Sequence, residues 1–578
     1  MKTHRKHWSW ASGILILSLS LLFISFPPRS SEAQGDSPEC EQAQCFLGVL
    51  FDLLRLQRPT VGPNQPVEWN QGPDTPDLPP DERPPNIIVI LADDMGFNDV
   101  SYYNGGAADG SLQTPGIDSI ATQGVVFSNG YASHATCAPS RAAIMTGRYP
   151  TRFGYEFTPM PDGTATIFDL MNKCNTDPLP TDVYADIANS NPPSAELGVP
   201  PSEIFISEKL KEVGYHTVHI GKWHLGGADG MRPLDQGFDE SLAMAGPFYL
   251  PEDSPDVVND YTEFSDLIRR QWETGTYAAV FNGGQQFEPN GYVTDYYSDE
   301  AVKVIEANRN RPFFLYLAHW GVHSPLQAKK ADYDALSHIT DHRLRVYAAM
   351  ILALDRGVGR VMDALVEHGI DNNTLVIFTS DNGGAATIGL PDINDPYRGF
   401  KATFFEGGTH VPYFMRWPKM ITGGMTYSHP ISHLDIFATA AAAAGASLPD
   451  DRPMDSVDLL PYVTGVNPDV PHPTLFWRNG YYQVVLSRDS GTGEFWKMQA
   501  SDRPDKVWLY NLTTEPTEQA NVAASNSAKV TELQALLDAY NAEQVDPLWQ
   551  SFIEGPIRID KTFADEMLET DEHVYWMN

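Results

Sequence analysis

The sequence predicts an α/β fold in which helices cover both faces of a large, mostly parallel sheet, followed by a smaller C-terminal α+β subdomain. Short apolar runs rich in β-branched residues, which are typical of buried strands, alternate with longer segments of helical periodicity. The clearest run is residues 86–91, and a polar cluster follows it directly. Because parallel neighbours need a crossover connection, the alternation of strands and helices favours parallel pairing.

Further elements of the predicted sheet domain follow the same pattern. The other predicted strands are residues 216–220, 312–318 and 375–379, and the predicted helices are residues 207–213, 298–308 and 344–369. Polar residues come directly after each strand. Ligands bind beyond the carboxyl ends of strands in sheets of this kind, so we expect these polar residues to share one site.

The N-terminus, residues 1–33, is predicted to be a secretory signal peptide. Positive charges precede an apolar run at residues 14–26, and a small-residue cleavage site ends at Ala33. The run is shorter than the roughly 20 residues that a membrane span needs. We therefore expect cleavage after Ala33, export to the periplasm or the medium, and no stable membrane span in the mature protein.

The remaining chain divides into three parts by composition. Residues 34–85 are an extension with a predicted helix at 45–57, followed by a Pro- and Asp-rich linker expected to run over the surface. Residues 86–470 contain the sheet domain. Residues 471–578 contain short strand-like runs, a helix at 528–541 and an irregular tail, which predict the α+β subdomain.

Charge and cysteine content limit the partners and the compartment. The net charge of −36 argues against nucleic acid, because binding a polyanion needs a basic surface. Of the four cysteines, Cys40 and Cys45 are close enough to pair once exported, which would leave Cys174 over. The fourth cysteine, Cys137, belongs to a motif of its own.

Two acidic pairs predict a metal site. Asp93 and Asp94 follow the first strand, and Asp381 and Asn382 follow the strand at 375–379. Oxygen ligands suit Ca²⁺ or Mg²⁺ rather than zinc, which prefers His and Cys. The alternative is that these are ordinary turn residues, where Asp and Asn are common. Their repetition after two buried strands favours the metal.

The motif Gly-Lys-Trp-His after the second strand supplies a cation and a titratable group. Alternate residues of an extended backbone point the same way, so Lys222 and His224 are expected to face one cavity. A lysine there can bind an anion as a point charge. The alternative is a solvated lysine with a structural histidine.

The motif Cys-Ala-Pro-Ser-Arg, from Cys137 to Arg141, resembles the core motif of the type I sulfatases of the alkaline-phosphatase-like superfamily. In that family the cysteine is oxidised to Cα-formylglycine, whose hydrated aldehyde is the nucleophile. A buried structural cysteine is the alternative. This alternative explains the sequence poorly, because further motifs resemble those of the family and occur in the same order along the chain. They are residues 114–118, 124–127 and 510–512.

The resemblance implies a divalent metal, usually Ca²⁺ with Mg²⁺ possible, on the two acidic pairs, with the modified Cys137 completing the coordination sphere. It implies that Lys222 and Lys401 bind the sulfate. His323 would protonate the leaving alcohol, and His224 would help expel sulfate from a sulfated hemiacetal. Arg141 would anchor the aldehyde hydrate. His319 matches no catalytic position of the family, and His410 stands where arginine is frequent.

The expected reaction is therefore hydrolysis of sulfate esters, on a sulfated polysaccharide or oligosaccharide, by a protein that needs a formylglycine-generating maturation enzyme. The aromatic residues Tyr249, Trp272 and Trp477 are candidates for stacking on sugars, although ordinary packing is the alternative. Two other functions remain open. One is a phosphodiesterase or phosphonate hydrolase of the same superfamily, and the other is a non-catalytic glycan-binding protein on this scaffold.

Overall fold

The computed structural model describes residues 38–56, 58–104 and 106–578. The predicted signal peptide and its cleavage site lie outside the described residues. None of the helices in the described ranges combines the length and the apolar character that crossing a bilayer requires.

The helices and strands of the described residues alternate through the first three quarters of the chain. The helices are α1 (Pro38–Leu56), α2 (Ser101–Asn104), α3 (Pro115–Thr122), α4 (Cys137–Thr146), α5 (Thr164–Asn172), α6 (Ala185–Ser190), α7 (Ile206–Glu212), α8 (Asp266–Thr274), α9 (Val293–Asn308), α10 (Lys330–Ala335), α11 (His342–Glu367), α12 (Glu406–Thr409), α13 (Asp435–Ala444), α14 (Leu460–Val463) and α15 (Ser527–Asn541). The strands are β1 (Asn86–Ala92), β2 (Val125–Phe127), β3 (Gly130–Tyr131), β4 (Asp182–Val183), β5 (His216–Gly221), β6 (Glu240–Met244), β7 (Val257–Asp260), β8 (Ala279–Phe281), β9 (Gln286–Phe287), β10 (Phe313–Ala318), β11 (Leu326–Lys329), β12 (Thr374–Ser380), β13 (Tyr413–Arg416), β14 (Met425–Tyr427), β15 (Ile431–Ser432), β16 (Thr474–Asn479), β17 (Tyr482–Arg488), β18 (Phe495–Asp502), β19 (Asp505–Asn511), β20 (Ile553–Arg558) and β21 (His573–Met577).

Within the described residues, ten strands form the central sheet in the order β14-β2-β13-β12-β1-β10-β5-β6-β8-β9. The block from β12 to β6 is entirely parallel. The antiparallel pairs lie on either side of this block. The prediction of an α/β fold with a large, mostly parallel sheet is confirmed.

Helices cover both faces of the sheet, which explains why β1 is apolar along its whole length. Ile88 and Ile90 pack in a core with residues of α3, α9 and α11. Ile87 and Val89 point the other way, into a core with residues of α4, α7 and α13. Successive side chains of a strand alternate between faces, so a strand in the middle layer must be apolar on both.

The register of the parallel block aligns the carboxyl ends of four strands. Ala92 of β1 lies beside Ser380 of β12, and Leu91 lies beside Ala318 of β10. Ala318 in turn lies beside Gly221 of β5. The polar segments that follow these strands therefore emerge together at one edge of the sheet.

The C-terminal region forms an antiparallel sheet in the order β16-β17-β18-β19, with α15 packed against it. Its core contains Met498 and Leu509 from the sheet and Leu533 and Leu537 from the helix. The expectation of an irregular tail is wrong, because β20 and β21 pair with each other and β20 also pairs with β4. Strand β4 lies in a distant part of the sequence, so local patterning could not reveal this partner.

The expected pairing of Cys40 with Cys45 is also wrong. Cys40 forms a disulfide with Cys174, and Cys45 is exposed and free. Both Cys40 and Cys45 lie on α1, which begins at Pro38, earlier than predicted. Residues five apart on a helix do not share a face, so closeness in sequence does not bring the two thiols together. Cys40 faces the segment after α5 instead.

The linker after α1 is anchored on the sheet domain. Gly62 exchanges backbone hydrogen bonds with Gln286 and Glu288, each at 2.9 Å. Further along, the buried Trp69 donates its indole N–H to Glu300 at 2.8 Å. The linker therefore runs over the surface, as its composition indicates, but it does so along a fixed course.

We predict that Cys40→Ser lowers the free energy of unfolding by about 2–5 kcal/mol, because the disulfide limits the freedom of the unfolded chain. Thermal unfolding measures this loss, and Cys45→Ser is the matched control, with a change within about 0.5 kcal/mol. A non-reduced tryptic digest should join the peptide of Cys40 to that of Cys174. Since Cys40 and Cys45 share one tryptic peptide, the absence of any such cross-linked pair would contradict the assignment.

Candidate active site

Cys137 is the first residue of α4 and lies in the interior of the protein, 3% exposed. Its Sγ atom is 3.5 Å from Asp93 Oδ1 and 3.7 Å from Asp94 Oδ1. Burial, followed by the charge of Asp381, raises the pKa of the Cys137 thiol above its ordinary value. Nucleophilic cysteines need a lowered pKa, so the unmodified thiol is poorly suited to attack a substrate.

Arg141 lies one turn after Cys137 on the same face of α4, and it ties the helix to the carboxylates. Its Nε–H donates to Asp381 Oδ2 at 2.8 Å, and its Nη2 forms ion pairs with Asp381 at 2.7 Å and with Asp93 at 3.3 Å. All three side chains are fully buried. Buried charges persist only when they are paired, so this arrangement fixes α4 against the ends of β1 and β12.

The other two cations each hold one carboxylate of the Asp93–Asp94 pair. Lys222 Nζ is 2.6 Å from Asp93 Oδ2. Lys401 Nζ donates to both oxygens of Asp94, at 2.6 and 2.8 Å, and lies 3.1 Å from Cys137 Sγ. The two lysines therefore approach the thiol from the segments after β5 and before α12.

The two adjacent carboxylates differ in their electrostatic surroundings. Burial, together with the nearby Asp381, raises the pKa of Asp93 to about 7 despite Lys222 and Arg141. Burial would also raise the pKa of Asp94, but Lys401 and other cations outweigh it and hold that pKa below its ordinary value. Asp93 thus remains incompletely compensated, which favours the approach of a further cation.

His323 reaches the same cluster from the loop after β10. Its Nε2 atom is 3.4 Å from Asp94 Oδ2 and 3.4 Å from Lys401 Nζ. Its Nδ1 atom lies 2.7 Å from the carbonyl oxygen of Ser324. Since a carbonyl only accepts, Nδ1 carries a proton and Nε2 is the atom that faces the cluster. Burial lowers the pKa of His323 to about 3.

His224 differs in backbone from the expected extended segment, because its φ is +64°. Burial and then the charges of Lys222 and Arg141 hold its pKa well below the ordinary value, which keeps the ring neutral. Among the described residues, its Nδ1 atom has no hydrogen-bond partner. The charges of the cations therefore act on the His224 side chain, and its Nδ1 atom is available to form a hydrogen bond.

Other residues singled out in the sequence lie in packed surroundings. Tyr249, Trp272 and Trp477 are each at most 5% exposed, so the suggestion that they stack on sugars is wrong. His319 is fully buried, and burial lowers its pKa to about 3. His410 is also buried, and its Nδ1 atom lies 2.8 Å from Glu406 Oε2.

Trp320 is a site residue that the sequence reasoning missed. Its ring stacks on His323 with centroids 4.0 Å apart, and Lys222 Nζ lies 4.8 Å from the ring centroid. The indole therefore contacts both the histidine and the lysine. In the sequence, only its position three residues before His323 could have indicated a role in the site. Such a position is weak evidence, because most tryptophans are buried for packing alone.

The donor set fits a metal ion. Ligand atoms of Asp93, Asp94, Cys137 and His323 all lie within 4.8 Å of one another. In the described part of the chain, the buried Oδ1 of Asn382 has no hydrogen-bond partner, although its amide nitrogen donates to Asp94 at 2.8 Å. Carboxylate and amide oxygens suit Ca²⁺ or Mg²⁺. Asp381, also expected as a ligand, accepts from the backbone N–H of Asp94 at 3.2 Å.

We predict that Ca²⁺ raises the melting temperature of the protein after treatment with EDTA, because a ligand that binds only the folded state adds about 2.7 kcal/mol at 100 times its Kd. Differential scanning calorimetry with and without Ca²⁺ measures the shift. Asp94→Asn should remove most of it, whereas Asp450→Asn, at an exposed carboxylate, should keep it. A melting temperature insensitive to both Ca²⁺ and Mg²⁺ would contradict a metal at these residues.

Comparison with known proteins agrees with this arrangement. The sulfatase family matches residues 85–446. N-acetylgalactosamine-6-sulfatase of Homo sapiens is 34% identical over 386 residues, which cover 66% of each chain. Steryl-sulfatase of Mus musculus is 32% identical and covers 70% of this chain and 69% of its own.

A solved structure extends the comparison to three dimensions. Ps i-CgsB, also solved in complex with k-i-k-neocarrahexaose, superposes with a TM-score of 0.65 at 32% identity for that complex, covering 81% of this chain and 95% of its own. The family match spans the whole parallel sheet and every residue of the cluster around Cys137. The chain belongs to the sulfatase family and is a sulfuric ester hydrolase.

Proposed function

We propose that this protein is an exported sulfatase that removes sulfate from carbohydrate esters with a formylglycine formed from Cys137. The observation that carries the proposal is the convergence of Lys222, Lys401 and Arg141 on the carboxylates around Cys137 Sγ. A cationic cluster beside a buried nucleophile position suits an anionic ester, even in a protein of net charge −36.

The nucleophile requires chemistry that the thiol does not provide. Burial keeps Cys137 protonated, as its raised pKa indicates. Oxidation to formylglycine would place a hydrated aldehyde there, with one hydroxyl to attack sulfur and a second to release the sulfate. Arg141, one helical turn away, would hold the hydrate. A formylglycine-generating enzyme is then a required partner.

The lysines supply the positive charge that a sulfate needs. Lys222 and Lys401 are point charges that can stabilise the sulfuryl oxygens as charge shifts in the transition state. A divalent metal on the acidic pairs, which we propose to be Ca²⁺, would act as a Lewis acid at the nucleophile. Because it would compete for Asp93 and Asp94, it would also leave the lysines available to the substrate.

His323 is proposed to protonate the leaving alcohol from Nε2, while Nδ1 keeps its proton on the Ser324 carbonyl oxygen. Because burial leaves the free ring neutral, Nε2 would first take up a proton, which the negative charge of a bound sulfate ester would favour. Trp320 and the carbonyl contacts of this loop restrain the ring. His224 is proposed to assist expulsion of sulfate, because it is neutral at ordinary pH and has an unpartnered Nδ1 among the described residues.

The proposed substrate class is supported by the substrates of relatives and by signs that the protein is exported. One relative is an N-acetylgalactosamine-6-sulfatase, and another was solved with a neocarrahexaose bound. These support a sulfated carbohydrate here. The disulfide between Cys40 and Cys174 is of the kind that persists in oxidising compartments, which supports export.

We predict that Cys137→Ala lowers the turnover of 4-nitrophenyl sulfate by at least about 10³-fold, the scale expected for loss of a nucleophile. Mass spectrometry of the active protein should show the peptide of Cys137 lightened by the change from CH₂SH to CHO. Matched sulfate and phosphate esters test the reaction class. Faster turnover of the phosphate diester would instead identify a phosphodiesterase.

We predict that His323→Asn lowers kcat by about 10²–10⁴-fold for a sugar sulfate, because an alcohol needs a proton to leave. The loss should be much smaller for 4-nitrophenyl sulfate, whose phenolate is a good leaving group. The exposed His338 provides the control His338→Asn, with unchanged kinetics. Equal losses on both substrates would show that His323 is not the acid.

A further inference from the structure

A groove of about 620 Å³ lies on the surface of the protein. We call it the Tyr261 groove. Its lining includes three aromatic rings, from Phe248, Tyr261 and Tyr277, and a wall contributed by the N-terminal extension at Arg58 and Val61. None of these residues belongs to the cluster around Cys137.

One short segment separates the Tyr261 groove from the catalytic cluster. Trp320, which stacks on His323, donates its indole N–H to the carbonyl of Pro247 at 2.8 Å. The next residue, Phe248, lines the groove. Tyr249 then donates its hydroxyl to the carbonyl of His323 at 2.8 Å. The groove wall and the proposed acid are therefore held to each other by direct contacts.

The floor of the Tyr261 groove is a cluster of contacting aromatic rings, of which Tyr261 is exposed. Tyr261 is 45% exposed, and its ring lies 4.6 Å from that of Trp272. Trp272 is itself buried and lies 5.6 Å from Phe248. A supported ring with an open face suits the apolar face of a sugar ring, and it orders few side chains on binding.

The N-terminal extension completes the groove as a fixed wall. Gly62 exchanges backbone hydrogen bonds with Gln286 and Glu288 at 2.9 Å. Asn64 adds a bond to the carbonyl of Glu288 at 2.9 Å. The extension is therefore joined to the strand segment beside the groove, and its residues are available as binding groups without further folding.

Charge distinguishes the Tyr261 groove from the catalytic cluster. Of the described charged side chains that line it, three are carboxylates, Glu252, Asp253 and Glu288. The one cation among them, Arg58, already donates to the carbonyl of Glu273 at 2.5 Å. Carboxylates accept from sugar hydroxyls but repel sulfate and uronate groups. The groove therefore selects against a second anionic sugar.

We propose that the Tyr261 groove is a subsite for a neutral, unsulfated sugar of the same glycan chain whose sulfated residue lies at Cys137. This proposal rests on the proposed function. It adds that the protein prefers glycans in which the sulfated residue has an uncharged neighbour on this side, and that Tyr261 is the stacking platform.

The experiment compares hexasaccharides built of galactose and N-acetylgalactosamine, carrying either one sulfate or full sulfation, with 4-nitrophenyl sulfate. Tyr261→Ala should raise KM for the singly sulfated hexasaccharide about 10-fold, the equivalent of roughly 1.4 kcal/mol. It should leave the kinetics of 4-nitrophenyl sulfate within about 2-fold. Tyr261→Phe, which keeps the ring, should behave like the parent protein, and Tyr102→Ala is the control at another exposed tyrosine.

A second arm tests the charge. The double variant Glu252→Gln, Glu288→Gln should reduce the preference for the singly sulfated over the fully sulfated hexasaccharide, since it removes two of the three carboxylates. An unchanged KM for the hexasaccharide in Tyr261→Ala would overturn the subsite. So would turnover of 4-nitrophenyl sulfate without turnover of any hexasaccharide, whereas no turnover of either sulfate by the parent protein would overturn the proposed function itself. Equal melting temperatures of the variants show that each is folded.

Discussion

The balance of buried charge at the ends of β1 and β12 is the constraint on which the rest of the structure depends. Three buried carboxylates, Asp93, Asp94 and Asp381, meet three cations from other segments. Removing one member of such a group leaves an uncompensated charge, which costs several kcal/mol. The α4 helix, which carries Cys137, is therefore fixed by Arg141 as much as by its apolar packing.

The C-terminal subdomain contributes a second set of buried ion pairs that contacts the segments around Cys137. Its Lys497 is fully buried and lies 2.7 Å from Glu406 and 3.2 Å from Glu518. Glu406 begins the short helix α12, five residues after Lys401. It also accepts from Tyr131 at 3.0 Å, in the segment just before α4. One buried ionic network thus joins the smaller subdomain to two segments that reach Cys137.

Part of the candidate site could be predicted from sequence because several of its residues directly follow buried strands, whose ends can be recognised from apolar runs. Asp93 and Asp381 are examples. Cys137, Arg141 and Lys401 do not follow such strands and were predicted from the resemblance of their motifs. What could not be predicted depends on helix faces and on distant contacts. Cys40 pairs with Cys174, 134 residues away, because α1 points the two early cysteines apart. The sequence does not distinguish Trp320 from other buried tryptophans, and only the structure shows that its ring stacks on His323.

The N-terminal extension illustrates the same limit at a larger scale. Its composition correctly indicates a surface course, but composition carries no information about which surface. Backbone pairing at Gly62 places the extension beside Tyr261, where it closes a groove. Tyr249 and Trp272, which the sequence offered as sugar-stacking residues, lie beneath this surface as support.

The net charge of the protein and the local charge of its site affect an anionic substrate at different distances. A protein of net charge −36 repels a polyanion at long range, and salt reduces that repulsion over a Debye length of about 8 Å. Binding must then come from contacts shorter than that length. In the proposed function, Lys222 and Lys401 would provide them for a single sulfate, since they lie within 3.1 Å of the carboxylates or thiol around which it would bind. A neighbouring subsite lined by carboxylates gains from hydroxyl groups and loses from further sulfates. An acidic surface with one buried cationic cluster is therefore suited to glycans in which sulfates are spaced apart.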